Sequence, residues 1–142
     1  MKINLFTDGG ARGNPGPGAI GVVLKNSKGE VIKEVGKFIG ECTNNEAEYE
    51  ALIEGLDCAL EKKATNLVCH LDSQLIVKQL NGEFKVKNPR MKKYWNFVKR
   101  LEKQFKAVEY KQVPREKNAE ADALVNEVLD TLNGSAKQRT LL

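Results

Sequence analysis

A chain of 142 residues, 30% charged and 41% hydrophobic, has room for one domain with a full core. It holds no run of about 20 apolar residues and no secretory leader pattern, so a membrane span is excluded and the expected setting is cytoplasmic. Cys42, Cys58 and Cys69 are odd in number and lack paired ligand spacing. That argues against a disulfide framework or a zinc site and predicts small buried hydrophobes.

The first predicted strand is Ile3-Asn4-Leu5-Phe6-Thr7, which places Asp8 at its carboxyl end, where open α/β sheets form ligand crevices. A glycine-rich run from Gly9 to Gly18 follows, where backbone can approach a ligand closely. It lacks the Lys-Ser/Thr ending of a P-loop and the glycine order of a dinucleotide fold. Taken alone, Asp8-Gly9 reads as a turn.

Ala19–Lys25 and Val31–Ile39 are branched apolar runs joined by Asn26-Ser27-Lys28-Gly29, a hairpin signal. Helical spacing runs from Asn44 to about Lys63. A buried strand is predicted at Leu67–Leu71 and a short helix at Ser73–Leu80. Pro89 opens a helix to about Phe105, Ala107–Val113 is a strand, and the last helix runs from Asn118 to about Leu132. The fold class is α/β, with one domain over residues 1–133 and a loose tail over residues 134–142.

The net charge of +4 is unevenly spread. Between Asn81 and Lys106 nine Lys and Arg residues face only Glu83 and Glu102, and Tyr94, Trp95 and Phe97 are interleaved among them. A basic run is commonly a solvated helix face. Aromatic interleaving and a net negative remainder favour a surface that tracks phosphates.

Carboxylates gather elsewhere. Thr43-Asn44-Asn45-Glu46 is a capping box, which gives Glu46 a structural task. Glu48 shares the apolar side of its helix with Leu52, Gly55, Leu56 and Ala59, while Glu46, Glu50, Glu54, Asp57 and Glu61 fall on the polar side. A carboxylate on a core face must be paired or hold a cation. Asp72 follows the strand ending at Leu71 and is also placed to cap the next helix. Asp122 lies in the first turns of the last helix, a favourable place for any acid. Four acids from two strand ends and two helices can converge at one sheet edge, and such a cluster needs cations.

The segments Thr7-Asp8-Gly9-Gly10…Gly13-Asn14-Pro15-Gly16-Pro17-Gly18, Thr43-Asn44-Asn45-Glu46-Ala47-Glu48, Leu71-Asp72-Ser73-Gln74 and Asn118-Ala119-Glu120-Ala121-Asp122 closely resemble, in this order, the ribonuclease H type 1 family. The resemblance implies a five-stranded mixed sheet flanked by helices on both faces, with the first, fourth and fifth strands parallel. It implies hydrolysis of the RNA strand of an RNA–DNA hybrid, leaving 3′-hydroxyl and 5′-phosphate ends. Asp8, Glu48, Asp72 and Asp122 take the family's metal-binding catalytic positions. Hard carboxylate ligands suit Mg²⁺ or Mn²⁺, and a two-metal site needs no side-chain nucleophile. Asn14, Thr43, Asn44, Asn45 and Gln74 match positions that contact the hybrid, where amides can read ribose 2′-hydroxyls. The expected partner is a hybrid duplex and not a membrane, and the expected state is a monomer.

Three departures stand out. Where well-studied members carry a loop histidine before the last acidic helix, this chain has Val113-Pro114-Arg115-Glu116-Lys117, so Arg115 is the stand-in, although guanidinium does not serve as a base. The only histidine, His70, lies inside a strand and reads as structural. The connection between Asn81 and Arg90 is short where some relatives insert a basic protrusion, leaving Lys85 and Lys87 to supply part of that contact. Glu41 stands where relatives often carry a basic residue. Integrases, transposases and resolvases share fold and acids, and a non-catalytic duplex-binding module is a further alternative. The Asn14 and Thr43-Asn44-Asn45 set argues against the former, the complete acidic quartet against the latter.

Overall fold

The structure is a computed structural model that describes the backbone of residues 1–141 and the side chains of residues 1–131. Strands β1 (Lys2–Ala11), β2 (Gly16–Lys25) and β3 (Val31–Cys42) form an antiparallel meander. Helix α1 (Asn44–Glu61) then crosses to β4 (Asn66–Leu71), which pairs in parallel with β1. Helices α2 (Gln74–Leu80) and α3 (Pro89–Glu102) lead to β5 (Ala107–Gln112), parallel to β4. A single 3-10 turn at Arg115–Asn118 opens into α4 (Ala119–Leu141). The sheet order is β3-β2-β1-β4-β5, the five-stranded mixed sheet that the resemblance implies.

Two glycines let the helices reach opposite faces of the sheet. A Cβ at Gly9 would fall on the Ala47 carbonyl of α1, and one at Gly21 on the Ala121 carbonyl of α4. Around α1 the core gathers Ile3, Leu5, Tyr49, Leu52, Leu56 and Leu71, all fully buried. Truncating one of these leucines to alanine costs about 2–5 kcal/mol. A smaller cluster of Ala19, Val125 and Leu129 seats α4 on the far face. The three cysteines are free and buried. Among the described residues no helix is long and apolar enough to cross a membrane.

The hairpin forms where the sequence places it. Asn26 Oδ1 accepts from the Lys28 and Glu30 amides, and Gly29 supplies a φ of 82°. Three expectations change. Strand β1 runs on to Ala11 because its glycines keep pairing with β2 as far as Ala11↔Gly18, so Asp8 is not at the strand's end on that side. A backbone ladder does not need side chains, and composition alone made this stretch look like a turn. Glu46 is not on a polar face: it is 4% exposed, folded back over the helix start with Arg90 of α3 against it. The last helix starts at Ala119 and its backbone continues to Leu141, past the expected stop near Leu132. The side chains of residues 132–142, and with them the expectation of a loose tail over residues 134–142, lie outside the described residues.

Candidate active site

The site opens where β1 and β4 part. Their parallel pairing ends at Phe6↔His70. Continuing that register by two residues puts Asp8 opposite Asp72, and residues two apart share a face of the sheet. Glu48 comes from the first turns of α1, which Gly9 admits close to β1. One carboxylate oxygen from each of Asp8, Glu48 and Asp72 lies within 4.8 Å of the others. Ser73, not Asp72, caps α2: its hydroxyl accepts from the Ile76 amide, so the Asp72 carboxylate is not spent on the helix.

Asp122, the fourth residue of α4, stands beside this triad. Burial, the Asp72 charge and a hydrogen bond with Asp122 push the Asp8 carboxyl up to about 7. Glu48 is also raised well above the ordinary carboxylate range, first by burial and then by the charges of Asp8 and Asp72. Its Oε2 is buried without a hydrogen-bond partner among the described residues. Like charges this close cannot all ionise without a cation. An all-oxygen donor set with an orphaned buried oxygen fits a hard divalent ion.

The acids line a cleft of about 380 Å³ that also includes Arg12, Asn44, Arg115 and Asn126. Asn118, just ahead of α4, is 1% exposed; its Nδ2 donates to the Thr7 carbonyl at 2.8 Å and reaches Asp72 Oδ2 at 3.5 Å. It thereby ties the start of α4 to β1 at Thr7 and to Asp72 just after β4. Sequence reasoning missed Asn118 and Arg12 as site residues. The signal for Asn118 was present, since an Asn before an acidic helix can bond backbone as readily as it can cap.

The expected hybrid-reading residues are arranged differently from the acids. The Asn44 amide N–H donates to Asn14 Oδ1 at 3.0 Å, and the Ala11 N–H donates to Asn44 Oδ1 at 2.9 Å. Both side-chain oxygens are therefore committed and both NH₂ groups remain as donors. Thr43 is the N-cap of α1, its hydroxyl accepting from the Glu46 amide. Asn45 and Gln74 are exposed near the starts of α1 and α2. Lys85 and Lys87 do not line the acid cleft; they line a separate hollow of about 310 Å³ with Phe84, Lys92 and Trp95. There the Lys92 ammonium sits 4.3 Å from the Trp95 ring centre.

Residues 6–128 match the family described as Reverse transcriptase-like. A crystal structure of RNase H1 from Halobacterium salinarum is 39% identical and superposes with a TM-score of 0.90, covering 92% of this chain and 98% of that one. The chain belongs to the ribonuclease H type 1 family. LC11-RNase H1, isolated from compost by a metagenomic approach and solved in complex with an RNA/DNA hybrid, is 43% identical with a TM-score of 0.87. The alignment covers 92% of this chain and 98% of LC11-RNase H1. A bifunctional protein of Mycobacterium tuberculosis is 42% identical over 137 residues, 96% of this chain and 38% of that protein. This ribonuclease H type 1 chain thus spans about two-fifths of that curated relative.

Proposed function

We propose that this chain is an endoribonuclease that hydrolyses the RNA strand of RNA–DNA hybrids in a divalent-metal-dependent reaction, leaving 5′-phosphate and 3′-hydroxyl ends. The observation that carries the reading is the convergence of Asp8, Glu48 and Asp72 within 4.8 Å at the parting of β1 and β4, in a ribonuclease H type 1 chain. The solved hybrid complex of LC11-RNase H1 supports the substrate.

In this reading Asp8, Glu48, Asp72 and Asp122 hold Mg²⁺, with Mn²⁺ as an alternative. Ions held by these carboxylates would supply Lewis acidity for activating water and for stabilising the leaving oxygen. The protein's own contribution is placement. Gly9 and Asn118 fix the backbone positions from which the carboxylates project. The NH₂ groups of Asn14 and Asn44 are donors for ribose 2′-hydroxyls, the group that separates RNA from DNA. Thr43 holds the α1 start that presents Asn44 and Asn45, and Gln74 offers its own amide to the hybrid from the start of α2. Arg115 offers a fixed positive charge to the phosphate being cut. Lys85 and Lys87 hold the duplex further out, by its backbone.

The test is a gel assay on hybrid, double-stranded RNA and double-stranded DNA, with chelator, Mg²⁺ or Mn²⁺. Metal-dependent cutting of the RNA strand in the hybrid is expected. Failure to cut the hybrid with either metal would overturn the reading.

A further inference from the structure

The acid cleft has a second, unassigned cation. Arg12 follows directly on β1 and lines the cleft together with the four carboxylates. Its guanidinium pairs with Asp130 of α4. Asp122, Asn126 and Asp130 are spaced by four, so they stand one above another on the same helix face. Asn126 Nδ2 donates to Asp122 Oδ2 at 3.3 Å, which keeps the polar row continuous along the cleft.

Two measures of reach agree. Eight residues of helix from Asp122 to Asp130 rise about 12 Å. Four residues of extended chain from Asp8 to Arg12 span about 13 Å. Arg12, paired with Asp130, is therefore set back along the same cleft from the carboxylate cluster, nearer to a neighbouring phosphate than to the one being cut. A nucleic-acid strand carries a phosphate at every step, so a strand cut at Asp8 and Asp72 has another phosphate within reach of Arg12. The pair is also cheap to break: the Arg12 side chain is 37% exposed and that of Asp130 68%. Exposed ion pairs of this kind hold little energy, whereas guanidinium binds phosphate through two parallel hydrogen bonds.

We propose that Arg12 is a backbone-phosphate contact for the strand lying in the acid cleft, a few nucleotides from the cut, and that Asp130 is its internal counter-ion, displaced when substrate binds. The inference rests on the nuclease reading above. It assigns Arg12 to binding, in contrast to Arg115, and it makes Asp130 a brake on affinity.

The experiment measures cleavage of a hybrid at several salt concentrations for wild type, Arg12→Ala, Arg12→Lys and Asp130→Asn, with melting temperatures for all four. Arg12→Ala should raise KM about three- to tenfold, between the ranges for an exposed pair and a charged hydrogen bond. It should also flatten the salt slope by about 0.9, the share of one neutralised phosphate. Arg12→Lys should restore the slope and part of KM. Asp130→Asn should lower KM, because it frees Arg12 and removes a negative charge beside the strand. Wild-type cleavage with an unchanged KM and salt slope in Arg12→Ala would overturn the inference and leave the nuclease reading standing. So would a rise in KM in Asp130→Asn matching that of Arg12→Ala, with equal losses in melting temperature, since the pair would then be a structural strap. Absence of hybrid cleavage by wild type would instead defeat the nuclease reading itself.

Discussion

Glu46 and Glu48, two residues apart on α1, are equally hidden and differ in what their oxygens meet. Glu46 is 4% exposed and Glu48 8%. Both oxygens of Glu46 are occupied: Oε1 accepts from the Thr43 amide at 2.9 Å, and Oε2 pairs with Arg90 at 2.7 Å. Glu48 Oε2 has no partner among the described residues, and one Glu48 carboxylate oxygen lies within 4.8 Å of oxygens of Asp8 and Asp72. Burial does not separate the two acids. Satisfaction does, because a buried charge with its own cation is already neutralised and one without must obtain a cation from elsewhere.

The corresponding variants should part cleanly. Glu48→Gln should abolish metal-dependent cleavage and leave the melting temperature equal or higher, since it removes repulsion from Asp8 and Asp72. Glu46→Gln should keep most of the turnover and cost about 1–2 kcal/mol of stability by weakening the capping box and the Arg90 pair. Turnover and denaturant midpoints measured side by side check this, and equal activity losses would remove the distinction.

Asp8 gives the metal-free protein a specific pH dependence. Its carboxyl is raised from 3.8 to about 7 in the folded state by burial and by Asp72. Between those values the native state holds a proton that the unfolded state has released, so stability falls as pH rises. The contribution is fully present below about pH 4 and is lost on passing pH 7, at up to about 1.4 kcal/mol per pH unit. Denaturant melts of wild type and Asp8→Asn in chelator, from pH 4 to pH 8, read the difference directly. The variant should be flatter and more stable at neutral pH, and it should have lost cleavage. Adding Mg²⁺ to wild type at pH 7 should restore stability with release of protons. A wild-type profile parallel to that of the variant would contradict the shift.

Much of this architecture is legible in the residues. Periodicity places α1, α3 and the parallel strands, and the capping box at Thr43 and Pro89 in the first turn of α3 mark where those two helices begin, whereas α2 is capped by Ser73 and not by the expected Asp72. What failed did so for tertiary reasons. β1 continues through Gly9 and Gly10 because β2 pairs with them, which composition cannot report. Glu46 is buried by Arg90, 44 positions later in the chain. Asn118 and Arg12 join the site only because α4 returns to the ends of β1 and β4. The four acids carried a local signal and Asn118 a weaker one, while Arg12 carried none.

The basic segment gives a prediction about affinity. Lys85, Lys87 and Lys92 gather around Trp95 and Phe84 in one hollow, with Lys92 stacked on the indole. Neutralising Lys85, Lys87, Lys92 and Lys93 together should raise KM with little change in kcat. The salt dependence of binding should flatten by about 0.9 for each phosphate that the variant no longer neutralises. Replacing Lys92 alone should also loosen Trp95, whose Nε1 donates to the Gln79 carbonyl at 3.1 Å, and a small fall in melting temperature should accompany it. An unchanged salt slope in the fourfold variant would mean that these lysines are only a solvated face.

Arg115 lines the acid cleft, whereas His70 is packed within the sheet against Phe6. Arg115 opens the 3-10 turn before α4 and lines the acid cleft. His70 lies flat against Phe6, ring centres 4.3 Å apart and planes within 9°, with Nε2 at 3.2 Å from Asn4 Oδ1. Burial lowers its pKa, so at neutral pH it is an uncharged packing group. Arg115→Ala should lower kcat by about 10- to 1000-fold, the span for removing a preorganised charge, and Arg115→Lys should recover part of it. His70→Ala should cost stability by removing the stack on Phe6 and leave kcat nearly unchanged. The deciding measurement is the pH–rate profile at saturating metal. A guanidinium contributes no ionisation in the working range, so Arg115→Ala should shift the whole profile down without changing its shape. Loss of a limb near neutral pH in His70→Ala would instead place proton transfer on the strand histidine and overturn this reading of His70.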